Sequence, residues 1–118
     1  MIHNVYDMTV EGSEGNPTLT TYIIDESPAL MNNDRPIVII CPGGGYNHVS
    51  DREGELVAIQ FLAAGIHAAV LRYSVEPARY PTQLKELAKA VALIRSHAKE
   101  SCILPDKLMI KGFSAGGH

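Results

Sequence analysis

Long runs of one chemical character are missing from this sequence. No cluster of lysine and arginine forms a basic stripe, and the net charge is −3 at pH 7. Nucleic-acid-binding surfaces usually carry such a stripe, so nucleic acid is not an expected partner. The longest apolar stretches, residues 37–41 and 63–71, fall far short of the roughly 20 residues that cross a membrane. No membrane contact is therefore expected.

The sequence also contains few cysteines and shows no pattern of a secretory signal in its first residues. Residues 1–7 lack the basic and apolar regions of a signal peptide. Only Cys41 and Cys102 are present, too few for a disulfide-rich scaffold, and both lie among apolar neighbours. The sequence therefore predicts two buried, reduced thiols in a cytoplasmic protein.

The pattern of apolar residues indicates the α/β class. With no internal repeat and no linker, 118 residues suffice for one core but not for two domains, so residues 1–118 are expected to form part of a single domain. Strands that alternate with helices predict a mostly parallel sheet of about five strands with two main flanking helices. The predicted strands cover residues 2–10, 18–25, 37–41, 67–72 and 107–112, with Pro105-Asp106 as the turn before the last strand, and the helices follow Ser50 and Pro81.

The two predicted helices have recognisable ends and faces. Ser50 and Glu53 have the spacing of a capping box, and Gly65 is well placed to end the first helix. His67 and His97 are interpreted as structural, whereas Lys111 lies in a strand expected to be buried and has no explanation in the pattern. Apolar residues recur at helical spacing in the first helix, at Leu56, Val57, Ile59, Phe61, Ala63 and Ala64. The predicted buried face of the second helix is Leu84, Leu87, Ala88, Val91 and Ile94, and Lys85, Glu86, Lys89 and Arg95 are predicted to face solvent.

The chemical signal is a pentapeptide at the end of the last strand. Residues Gly112–Gly116 read Gly-Phe-Ser-Ala-Gly and follow an apolar strand directly, which is the context of a nucleophile elbow. A serine at a tight strand-to-helix turn needs neighbours without bulk, and a helix N-terminus favours negative charge beside it. The pattern predicts Ser114 as a nucleophile; the alternative is a tail of small residues without a function.

A glycine-rich segment follows the third strand. Residues Pro42–Tyr46 read Pro-Gly-Gly-Gly-Tyr, and bare backbone N–H groups are the usual partners of the oxyanion in acyl transfer. A phosphate-binding loop is disfavoured, because neither Lys-Ser/Thr nor a Gly-x-Gly-x-x-Gly spacing is present. A plain loop is the remaining alternative. If the two motifs meet, one oxyanion donor comes from this loop and one from the N–H of Ala115.

These motifs resemble those of the α/β-hydrolase superfamily, in particular the N-terminal half of its esterase and lipase group. The variant here is similar to acetylesterases and acetylxylan-esterase-like proteins. The resemblance implies that Ser114 is the nucleophile, that Gly44, Gly45 and Ala115 donate to the oxyanion, and that Tyr46 lines the pocket. It implies no metal and no cofactor. The matching segments are Pro42–Tyr46, Arg52–Glu55, Leu71–Ser74, Pro77–Pro81, Pro105–Lys107 and Gly112–His118.

The sequence departs from the family pattern in ways that affect function. Cys41-Pro42 stands where a histidine often begins the oxyanion motif, and Ser74 stands where related lipases often carry arginine. The catalytic histidine and carboxylate of the family follow the elbow, and no counterpart is found within these residues. The expectation is a hydrolase of small acyl esters, including acetylated sugars, in the complete protein, acting through acyl-Ser114. The 118 residues alone are expected to be nearly inactive and to self-associate through the exposed fifth strand.

Other interpretations remain open at this point. His118 is a candidate base within the chain, and His48, which follows the glycine-rich segment, is a candidate for substrate contact. The chain is alternatively a non-catalytic binding or assembly module that keeps the fold. A peptidase of the same fold is a third possibility, because no residue pattern anchors one substrate class.

Overall fold

The computed structural model describes residues 1–30, 32–42, 51–74 and 81–112. Within these ranges it contains five strands and two helices in the predicted order, and no helix there is long and apolar enough to cross a membrane. The elements are β1 (Ile2–Asp7), β2 (Thr18–Ile23), β3 (Arg35–Cys41), α1 (Asp51–Ala63), β4 (His67–Arg72), α2 (Thr82–Ser96) and β5 (Ile103–Gly112).

The five strands form one mixed sheet in the order β1-β2-β4-β3-β5. The strands that alternate with helices are parallel, since β3 pairs in this way with both β4 and β5. The pairs β1–β2 and β2–β4 are antiparallel. The predicted α/β sheet of five strands is confirmed. The pair β1–β2 is antiparallel because the short turn that joins these two strands cannot make a parallel crossover.

The core lies on both faces of the central strands. Alternate residues of β3 point to opposite sides, so that Ile39 packs toward α2 and Ile40 toward α1, both without solvent exposure. A strand covered by helices on both faces needs no polar side, which accounts for the unbroken apolar run in residues 37–41. Each helix therefore closes one half of the core.

Helix α1 contacts the sheet through only part of the apolar set that recurs along it, since Val57 and Phe61 pack against the core. Leu56 and Ile59 are 56% and 51% exposed, whereas Ala58 is buried. Gly54 is also buried, and a Cβ atom there would lie 3.0 Å from a methyl group of Val70. The prediction gave weight to large apolar residues, but two small residues one turn apart let the helix lie close to β4.

Helix α2 differs from its predicted faces. Leu84 is 54% exposed and Ala88 is exposed, while Ile94 is buried as expected. Glu86, which was predicted to face solvent, is completely buried. The buried residues of α2 are Thr82, Glu86, Ala90 and Ile94.

Strand β5 is longer and more exposed than predicted. It begins at Ile103, and Pro105-Asp106 lies within it, at the place where its pairing with β3 shifts register between Arg35 and Ile37. Lys111 is exposed because β5 is one of the two outer strands of the described sheet, so the expectation of a buried environment was wrong.

The two cysteines have different environments. Cys41 is only 4% exposed, and this burial raises the pKa of its thiol to about 11. Cys102 is only partly buried, and its thiol donates to a carboxylate oxygen of Glu26 over 2.8 Å. Both are free, as predicted, but the prediction that both are buried holds for Cys41 alone.

His67 at the start of β4 is a structural histidine, as its position predicted. Its side chain is completely buried, and Nδ1 accepts a hydrogen bond of 3.0 Å from the Ile24 N–H. The other ring nitrogen lies 3.1 Å from the Cys102 carbonyl oxygen, to which it donates. An Nδ1 atom that accepts a bond carries no proton, so this arrangement requires the neutral ring.

We expect the stability of the fold to fall as the pH drops below 6.5, the ordinary pKa of histidine. Burial lowers the folded-state pKa of His67; the hydrogen bond to the Cys102 carbonyl opposes this shift in part, and the Arg35 charge adds a smaller lowering. The unfolded chain therefore binds a proton that the folded chain rejects, which costs at most about 1.4 kcal/mol per pH unit. Urea unfolding of wild type and His67→Asn between pH 5 and pH 8 measures this term; identical pH slopes would contradict it.

Candidate active site

The two predicted motifs begin at neighbouring strand ends. β3 and β5 are parallel neighbours, and their last residues, Cys41 and Gly112, are direct pairing partners. Adjacent strands lie about 5 Å apart, so the chain leaves the same edge of the sheet at two points separated by about that distance. The carboxyl edge of such a sheet is where α/β proteins place their binding sites.

The predicted site residues themselves lie outside the described residues. This applies to the nucleophile, to the oxyanion donors and to the candidate pocket residues, and also to the capping box at Ser50 and to His118. The structure brings together the strand ends that carry the two motifs, and the individual assignments stay predictions. They are Ser114, Gly44, Gly45, Ala115, Tyr46 and His48.

Tyr73 joins the end of β4 to the end of β3. Its side chain is 6% exposed and belongs to the core on the α2 side of the sheet. The phenol hydroxyl donates to the carbonyl oxygen of Pro42, the residue directly before the glycine-rich segment. Three strand ends, those of β3, β4 and β5, are therefore connected at the candidate site.

A buried carboxylate lies behind Tyr73. Glu86 of α2 has no solvent exposure, and its Oε1 accepts a hydrogen bond of 2.7 Å from the Ser74 N–H. The Ser74 hydroxyl donates to Oε2 of the same carboxylate. A buried carboxylate is stable only when hydrogen bonds replace its hydration, and Ser74 supplies two of them.

The turn between β1 and β2 completes this group. Ser13 Oγ donates to Glu86 Oε2 over 2.7 Å and accepts from the Val10 N–H over 2.9 Å. The Glu14 N–H donates to Ser74 Oγ over 2.9 Å, which leaves that hydroxyl with both a donor and an acceptor partner. Three separate parts of the chain therefore meet at one carboxylate, through neutral donors.

Sequence reasoning did not find this group. Charged residues on amphipathic helices are usually solvated, and the large apolar residues of α2 suggested a different buried face. The sequence held no apolar signal for it, because two of the four residues that the structure buries, at every fourth position of α2, are polar. These four residues are Thr82, Glu86, Ala90 and Ile94.

A groove among the described residues lies at a different place in the fold. This groove has a volume of about 40 Å³ and is lined by mostly apolar residues of β1, β2, α2 and the first half of the parallel strands, including Ile37 and Ile103. These residues mark the amino ends of β3 and β5, at the opposite edge from Cys41 and Gly112. The candidate site is therefore assigned from the strand ends and not from this groove.

Comparisons with known proteins agree with this arrangement. The model of the BD-FAE family matches residues 26–118. The α/β-hydrolase MGS-M1, from a Medee basin deep-sea metagenome library, is 43% identical over 98% of this chain, with a TM-score of 0.87. An acetyl ester-xyloside bifunctional hydrolase from Caldicellulosiruptor lactoaceticus is 32% identical over 98% of the chain, with a TM-score of 0.85.

A curated relative is similar over most of the chain. Endo-1,4-beta-xylanase B of Butyrivibrio fibrisolvens is 37% identical in an alignment of 97 residues, which covers 76% of this chain and 15% of that protein. The chain likewise spans 48% of MGS-M1 and 44% of the Caldicellulosiruptor hydrolase. It therefore corresponds to less than half the length of each of these proteins.

We expect Glu86→Gln to destabilise the fold. The amide nitrogen cannot accept from the serine donors, so a buried group loses its partner at a cost of roughly 1–3 kcal/mol. Glu11→Gln makes the same chemical change at an exposed position in the turn before β2 and should stay within about 0.5 kcal/mol of wild type. Equal free energies of unfolding for the two variants would refute a stabilising role for the Glu86 carboxylate.

Proposed function

Because the chain belongs to the BD-FAE family and has the fold of the N-terminal part of an α/β-hydrolase, we propose that the whole protein is a serine-dependent carboxylic ester hydrolase. The observation that carries this proposal is the pairing of Cys41 with Gly112, which starts both motifs at one edge of the sheet. An acyl-transfer site needs a nucleophile and oxyanion donors close together, and these strand ends supply the two chain segments that would provide them.

In the proposed reaction Ser114 is the nucleophile. Its Oγ attacks the acyl carbon of the ester while a histidine removes the hydroxyl proton, and the backbone N–H groups of Gly44, Gly45 and Ala115 stabilise the oxyanion. The alcohol leaves with that proton, and water then attacks the acyl-Ser114 intermediate to release the acid. In the family that this chain resembles, the histidine and its carboxylate come later in the chain than the serine.

The proposed substrates are small acyl esters, with acetyl groups on sugars as the first to be tested. Support comes from the names of two similar proteins, an acetyl ester-xyloside hydrolase and a xylanase. Tyr46 and His48 follow the glycine-rich segment and are proposed to line the pocket.

We expect a fluorophosphonate probe to label the natural full-length protein at Ser114, with intact mass as the readout. Ser114→Ala should abolish both labelling and turnover of an acetyl ester. Ser101→Ala, a substitution in the loop before β5, should change neither and serves as the control. Turnover that survives Ser114→Ala would overturn the serine mechanism, and binding of acetylated sugar without turnover would favour a binding module.

A polypeptide restricted to residues 1–118 should react far more slowly. In subtilisin, loss of the serine or histidine alone costs about 10⁶ in turnover, and roughly 10³–10⁴ over water remains from binding and the oxyanion hole. Fast labelling of this polypeptide would show that it contains its own base, and His48→Gln and His118→Gln would identify which histidine acts.

We also propose that this shorter polypeptide self-associates through β5. That strand is one of the two outer strands of the described sheet, and Met109 and Ile110 are 41% and 52% exposed. Free ladder groups beside apolar side chains favour pairing with another chain. Light scattering should show a mass that rises with concentration and falls in Ile110→Lys; a monodisperse monomer at high concentration would contradict the proposal.

A further inference from the structure

We propose that Tyr73, supported by Ser74 and Glu86, is a positioning residue that sets the orientation of the glycine-rich segment for ester hydrolysis. The inference rests on the proposed function and extends it to residues outside the predicted site. It concerns a chain of contacts that runs from α2 through the end of β4 to Pro42. None of these residues is proposed to touch the substrate.

The first link is the attachment of Ser74 to α2. Glu86 and Ser74 are 0% and 1% exposed, and two hydrogen bonds join the Glu86 carboxylate to the backbone and the hydroxyl of Ser74. Gln83 adds a third contact from the same helix, donating to the Ser74 carbonyl oxygen over 3.1 Å. Both the N–H and the C=O of Ser74 are thus held by α2, which restricts the backbone directly after Tyr73.

The second link transfers this restraint to β3. The Tyr73 ring is packed in the core, so its hydroxyl has little freedom to move, and it donates to the Pro42 carbonyl oxygen. Pro42 is itself less than 2% exposed. A hydrogen bond that is shielded from water in this way is stronger than one at the surface.

The third link is the covalent geometry of the peptide bond. A peptide unit is planar, so a hydrogen bond that orients the Pro42 carbonyl also orients the N–H of Gly43, which belongs to the same unit. This unit leads directly into the segment with the predicted oxyanion donors. Proline adds to the restraint, because its ring fixes its own φ angle. The hydroxyl of Tyr73 therefore acts on the point at which the glycine-rich segment begins.

This arrangement predicts an effect on the transition state rather than on substrate binding. Oxyanion donors act on charge that develops during reaction, so a rotated donor lowers kcat and leaves KM nearly unchanged. If Tyr73 only filled the core, Tyr73→Phe would change the stability of the fold and leave the turnover per active site unchanged. The two roles can therefore be separated.

The test is Tyr73→Phe in the natural full-length protein, compared with Tyr22→Phe. The control removes a hydroxyl from β2, where the centroid of the Tyr22 ring lies 5.0 Å from that of His3. Tyr22 pairs with Ala68 at the amino end of β4, away from the carboxyl ends of β3, β4 and β5. Turnover is divided by the number of sites that a fluorophosphonate labels. We expect Tyr73→Phe to lower kcat about tenfold with KM within about twofold, less than the roughly hundredfold cost of a misplaced catalytic group. Tyr22→Phe should match wild type.

A second readout does not depend on activity. Hydrogen–deuterium exchange of the peptide that covers residues 43–46 should be faster in Tyr73→Phe than in Tyr22→Phe, and Glu86→Gln should shift it in the same direction. Equal exchange in the two tyrosine variants, or a kcat per labelled site equal to that of the control, would overturn the positioning role. If the wild-type protein neither turns over esters nor is labelled, the proposed function fails, and the exchange comparison still decides whether Tyr73 restrains the segment.

Discussion

The parallel pairing of β3 with β5 is the constraint on which the candidate site depends. The two strands are separated by α1, β4 and α2 in the chain, yet Cys41 and Gly112 end as direct partners. Because both strands run in the same direction, the segments that follow them must leave the sheet at one edge. The proximity proposed for the nucleophile and the oxyanion donors is thus a consequence of sheet topology, because the two segments that carry them start side by side.

The core holds this pairing in place from both sides. Helices α1 and α2 cover opposite faces of β3 and β4, and in α1 the small residues Gly54 and Ala58 are the ones fully buried against the sheet. On the other face α2 brings a carboxylate into the interior. The energetic cost of that buried charge is offset by donors from β4 and from the first turn, so Glu86 connects the helix to the residues beside the candidate site.

Much of the architecture could be predicted from the local pattern. The order of the elements, the bounds of β4, the end of α1 near Gly65 and the structural role of His67 all followed from apolar runs and turn residues. The helix faces did not, because several faces of α1 and α2 have apolar residues at helical spacing. Only the shape of the sheet selects among them, and it selected small residues in α1 and a glutamate in α2. The environment of Cys102 and the exposure of Lys111 likewise depend on partners distant in sequence.

The sequence by itself determined the fold family, the succession of strands and helices, and the two motifs that lead to the prediction of Ser114 and its oxyanion donors. These properties are local, since each depends on residues within one turn or one strand. Tertiary structure alone decided that Cys41 lies beside Gly112, that Glu86 is buried, and that the Tyr73 hydroxyl reaches Pro42. Such contacts join residues 31 to 73 positions apart, and no local pattern encodes which of the possible partners the packed core brings together.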